Sequence, residues 1–169
     1  MSEDSTAGPI VVGISGSRSS QAALRWAAEL ASAARVPLIV VHAWQPSGAL
    51  RAPYAPAAGV PTEEDDLRAA RLVLDTALRT AGTADLHIEV RPVLVRGRPV
   101  PTLLRYAPAA ELLALGRRTV PDDGDPRLGP VARDCLTKAG CPVVTVPAAV
   151  VRIPPAPTPP KRRPVVAGR

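Results

Sequence analysis

Two glycines thirteen positions apart, Gly116 and Gly129, carry the strongest hint of chemistry in this chain. The apolar run "ELLALG" ends at Gly116, and Gly129 opens "PVARDCLTKAG", which reads as a helix with Pro130 at its first position. Strand, glycine, loop, glycine, helix is how a phosphate cradle is laid out. Glycine lets backbone N–H groups approach an anion without a Cβ, and the first N–H groups of a helix have no partner of their own. The residues in between suit phosphate poorly. Thr119 offers a hydroxyl where a third glycine would help, and Pro130 has no N–H at all. Asp122, Asp123 and Asp125 bring negative charge; "PDDGDP" reads as a solvated turn, with Mg²⁺ binding as the alternative. Arg117, Arg118 and Arg127 are cations able to pair either with phosphate or with those aspartates. Each charge-assisted hydrogen bond lost costs about 1.5–3 kcal/mol, roughly ten- to a hundredfold in affinity. A weak site is the expectation.

The remaining reactive side chains do not assemble a catalyst. His42 lies in an apolar run and reads as a hydrogen-bonded core histidine, whereas His87 alternates with Leu86 and Ile88 and reads as solvent-facing. Ser15 and Ser17 have no base in view, so nucleophilic catalysis lacks its partner. "GISGS" is neither a dinucleotide fingerprint nor a P-loop, whose lysine is missing. Cys135 and Cys141 are the only cysteines and lack the paired spacing of a metal or dithiol site. No enzyme and no metal centre is expected.

The elements that must position these residues alternate along the chain. "PIVVGISGS" is a buried-type strand stopped by glycines, and a helix follows from Ser19 or Ser20, with Leu24, Ala27, Ala28, Ala31 and Ala34 on one face. "PLIVVHAW" is a second strand, and 45–61 is a long Pro-, Ala- and Gly-rich loop expected to be mobile. Thr62 caps a helix through "TEED", with four acids in its first turn and Gly82 as its stop. "LHIEVRPVLV" is a strand placed at an edge or bulge by Pro92. A short helix ending before Pro108, the strand "ELLALG", the helix from Pro130 ending at Gly140 and the strand "CPVVTVP" complete the series. Alternation of this kind predicts an α/β fold with a mainly parallel five-stranded sheet.

Composition bounds the function further. The chain has 169 residues, 46% of them hydrophobic but only 2% aromatic, so its core must be Ala, Val and Leu. The net charge of +6 suggests nucleic acid until it is located. The last 22 residues hold five cations and no acid, leaving 16 cations and 15 acids for the other 147. A nearly neutral body does not favour nucleic-acid binding. The acidic, polar start and the lack of a membrane-length apolar run give the expectation of a cytoplasmic protein.

In order and spacing, "IVVGISGSRSSQAALRWAAELA", "PLIVVHAW", "GRPVPTLLRYA", "AELLALG" and "CPVVTVP" resemble the universal stress protein family. The resemblance implies a doubly wound α/β fold with helices on both faces. It also implies a stress-response binding or regulatory role, frequent homodimers through the last strand, and, in one branch, ATP binding. That branch carries glycine, two residues, glycine, nine residues, then glycine and serine or threonine. Here those positions are Gly116, Thr119, Gly129 and Pro130, followed by Val131, with Arg118 inside the loop. An aspartate of the family maps to Ser15, a backbone contact to Gly13, and the position after a frequent histidine to Ala43. The expected organisation is a disordered N-terminal tail over 1–8, the domain over 9–147, and a Pro-rich basic tail over 148–169, expected to be disordered, that could dock a protein partner. The expected cofactor state is ATP at weak affinity or none.

Overall fold

The computed structural model describes residues 7–50, 60–119 and 126–148. Strand β1 (Ile10–Ile14) leads through α1 (Arg18–Ala34) to β2 (Leu38–Trp44), then α2 (Glu63–Thr80) and β3 (Val90–Arg96). Helix α3 (Pro99–Tyr106) precedes β4 (Leu112–Thr119), a two-residue β5 (Pro126–Arg127), α4 (Pro130–Lys138) and β6 (Val143–Pro147). Five strands form the expected parallel sheet, in the order β3-β2-β1-β4-β6. The unexpected element is β5, which pairs antiparallel with the end of β4 through Arg118 with Arg127 and Thr119 with Pro126. Two residues are too few to show a period in sequence.

Both faces of the sheet are covered, which is why the central strands β1 and β2 read as nearly unbroken apolar runs. Ile10, Val12, Leu38 and Val40 pack beneath α1 and α2, while Val11, Ile39, Val41, Leu113 and Leu115 pack against α3 and α4. The alanine face of α1 (Ala23, Ala27, Ala31) is wholly buried, so a thin helix lies close on the strands without aromatic filling. Pro92 falls on β3, which among the described residues pairs only with β2, so its missing N–H breaks no ladder in the interior.

Helix ends follow local chemistry, with three corrections. The cap of α1 is Ser17, not Ser19 or Ser20; its hydroxyl accepts from Ser20 N at 3.2 Å, and Ser19 and Ser20 are buried within the first turn. Ala34 is exposed because α1 is already ending there, in Arg35 at φ 55°. Gly140 is not the stop of α4, which closes at Lys138 with Ala139 extended. The expected loop from Gln45 begins as a 3₁₀ turn over Ser47–Leu50, tied down where Ser47 Oγ donates to Asp66 at 2.7 Å; residues 51–59 lie outside the described residues. Gly82 does end the α2 region, at φ 64°. Among the described residues no helix is long and apolar enough to cross a membrane.

Thr62 caps α2 in a closed capping box with Asp65: Thr62 Oγ1 accepts from Asp65 N at 3.1 Å, and Thr62 N donates back to Asp65 Oδ2 at 3.1 Å. Hydrogen bonds from Thr62, with Arg68 adding to them, hold the Asp65 carboxyl below its ordinary value. A lowered folded value stabilises above the unfolded pKa, and that contribution is lost as pH falls through the folded one. Asp65→Asn should therefore melt below the wild type at neutral pH. Thermal melts should show the gap closing as pH drops below about 4.

Candidate functional site

Chain order reverses between β1 and β4: β2 and β3 lie to one side of β1, β4 and β6 to the other. Open α/β sheets form their crevice at that switch point, outside the carboxyl ends of the strands. A cavity of about 150 Å³ occupies it here. Its floor is Gly13, Ile14, Leu115 and Gly116; Val41 and Ala43 of β2 and Pro99 and Leu103 of α3 form one side. Ser15, Ser17 and Ser20 contribute the start of α1, and Val131 and Ala132 the start of α4.

Five residues singled out in sequence therefore meet around one cavity: Gly13, Ser15, Ala43, Gly116 and Val131. Gly129 and Pro130 stand just behind Val131 as the cap and first residue of α4. Arg118 and Thr119 continue β4 and pair with β5, and Asp122, Asp123 and Asp125 lie outside the described residues. Sequence reasoning missed Ser20, Val41, Pro99, Leu103, Leu115 and Ala132 as lining residues. Ser17 had a legible signal as a helix cap; Leu103 had none, because only packing brings α3 to the crevice.

The polar groups come from the starts of two helices. Ser15 N donates to Ser20 Oγ at 3.2 Å, and Ser15 Oγ donates to Ser17 Oγ at 3.2 Å. Ser20 Oγ donates to Ser17 O at 2.9 Å, so the hydroxyls form a short relay around the first turn of α1. Gly16, at φ 78°, makes the turn that allows it. Across the crevice, the hydrogen-bond ladder of α4 begins with Arg133 N donating to Gly129 O at 3.0 Å. The N–H groups of Val131 and Ala132 precede that ladder, and Pro130 supplies none.

The two motif glycines differ in what requires them. A Cβ on Gly116 would stand 2.5 Å from the backbone of both Ser19 and Ser20, so glycine is demanded there by the approach of α1 to β4. Among the described residues a Cβ on Gly129 would meet nothing within 4 Å, and its φ of −67° suits any residue. Gly116 is therefore accounted for by packing alone, whereas Gly129 is not.

Among the described residues, those lining the crevice carry no charge. Its hydroxyls and N–H groups can donate to ligand oxygens, and its apolar walls can take a flat ring. His42 stands apart, buried, with Nδ1 donating to Ile14 O at 3.0 Å. That bond fixes the end of β1 just before Ser15. His87 is exposed. Burial, and then Asp134, push the Cys135 thiol up, and burial pushes up Cys141, so both stay protonated near neutral pH.

An open, doubly wound parallel sheet with its crevice at the switch point defines a Rossmann-like α/β protein. Within that class, the model of the universal stress protein family matches residues 7–147, and the chain belongs to this family. A universal stress protein of Mycobacterium tuberculosis is 34% identical over 155 residues, covering 86% of this chain and 50% of that protein. One from Mycobacterium bovis is 32% identical over 144 residues, covering 81% and 47%. The chain thus spans about half the length of these curated relatives. Among solved structures, the universal stress protein of Archaeoglobus fulgidus in complex with dAMP is 27% identical, with a TM-score of 0.57, over 83% of this chain and 98% of that one.

Contrasting substitutions test the two glycines. Gly116→Ala should lower unfolding free energy by about 1–3 kcal/mol, since backbone rather than a flexible side chain must yield. Gly129→Ser should stay within about 0.5 kcal/mol of the wild type. Urea denaturation of both variants checks the pair.

Proposed function

We propose that this domain binds adenine nucleotides weakly in the switch-point crevice and serves a stress response as a binding or regulatory module, not as an enzyme. The observation that carries this reading is the convergence of Gly13, Ser15, Ala43, Gly116 and Val131 on one uncharged cavity, with the N–H groups of Val131 and Ala132 ahead of the α4 ladder. The dAMP complex of the Archaeoglobus fulgidus protein supports an adenine nucleotide as the ligand class. Weakness follows from the chemistry. Pro130 removes one N–H donor, Ser15 offers a hydroxyl already engaged with Ser17, and among the described residues the lining holds no cation to balance phosphate. The same reading places the module in the cytoplasm as a homodimer through β6, which pairs with β4 on one side only among the described residues.

Calorimetric titration with Mg-ATP and with AMP tests it. Dissociation constants of about 0.1–1 mM are expected, and binding tighter than about 10 μM would overturn the weak-site reading. Combining Ser15→Asp, Thr119→Gly and Pro130→Ser supplies a carboxylate acceptor, frees the backbone at 119 and restores the N–H at 130, and should tighten ATP binding by about ten- to a hundredfold.

A further inference from the structure

The inner part of the crevice is small beside a nucleotide, and two side chains bound it. Pockets for drug-sized ligands run from about 300 to 1,000 Å³, whereas an apolar cavity of about 150 Å³ suffices for a single six-membered ring. This cavity measures about 150 Å³. Over Gly13, the place where a Cβ would stand is 2.7 Å from Leu115 Cδ2 and 2.9 Å from Leu103 Cδ2, with Leu103 Cδ1 at 3.2 Å. Leucine side chains, not backbone, take up the space that the glycine leaves. Leu115 is part of β4 and stands in register with Gly13, so its position is set by the sheet itself. Leu103 comes from α3, an eight-residue helix outside the sheet, and is buried to 4% exposure.

We propose that Leu103 is the specificity-determining residue of the crevice, holding its inner end to the width of one ring, so that a bicyclic purine seats only when the isobutyl group yields. This rests on the nucleotide reading above. The walls beside Leu103 (Val41, Ala43 and Pro99) are apolar and match the faces of a base. Ligand size at this end therefore depends on the α3 side chain. Shortening it opens room next to Gly13 and leaves the serine hydroxyls of the α1 start in place.

The test is calorimetric titration of wild type, Leu103→Ala and Leu103→Val with AMP and with CMP. AMP should bind about tenfold tighter to Leu103→Ala and by a smaller gain to Leu103→Val, while CMP changes by less than about threefold. Leu103→Val keeps a branched apolar side chain, so it carries the comparison if circular dichroism shows the alanine variant unfolded. Unchanged or weaker AMP binding in a folded variant, or parallel shifts for both nucleotides, would overturn the proposal while leaving the nucleotide reading in place. If neither wild type nor variants bind either nucleotide at about 5 mM, the nucleotide reading itself falls, and the inference with it. AMP binding that emerges only in the variants supports the inference.

Discussion

The contact on which this molecule turns is the approach of the first turn of α1 to the end of β4. At Gly116 the two backbones come so close that a single added carbon would lie 2.5 Å from Ser19 and Ser20. That approach seats the alanine face of α1 on β1 and β4 and buries Ala23, Ala27 and Ala31 completely. It also brings the serine relay to the rim of the switch-point cavity. In a chain with few aromatic residues, close packing of alanines on the strands supplies much of the core on this face.

The crevice is a consequence of that topology and not of a single motif. Two helix starts face each other across the end of the sheet, and helix starts present N–H groups without internal partners. The pieces differ in state. At the α1 start the hydroxyls bond among themselves and to one helix N–H, with Ser17 bonded to Ser15 and to Ser20 N. The α4 start has lost one donor to Pro130, yet Val131 and Ala132 still precede its ladder. Such a site can hold a ligand through shape and a few neutral hydrogen bonds, which is a weaker hold than charge-assisted phosphate binding.

Much of this was legible in the residues. Pro92 pointed to an edge strand, Thr62 and Asp65 to a capping box, Gly82 to a helix stop, and the spacing of Gly116 and Gly129 to a loop joining strand to helix. The misreadings share a cause. Ser17, Ser19 and Ser20 are equally good caps by type, and only the burial of the latter two beneath Gly116 separates them. The β5 pairing is two residues long and depends on a register that no periodicity reveals. Leu103 is one more apolar helix residue until α3 is laid over β1.

What the sequence by itself determined is the local grammar: where strands and helices run, how most of them end, and which family the ordered blocks resemble. These depend on residues within a few positions of one another, so they survive without the fold. Only the tertiary structure decided what the two glycines mean. Gly116 is imposed by a backbone from another element, and Gly129 is imposed by nothing among the described residues. It likewise decided that the inner end of the cavity is bounded where Leu103 of α3 and Leu115 of β4 meet over Gly13 of β1. Three elements distant in the chain fix that distance, and no spacing along the sequence encodes it.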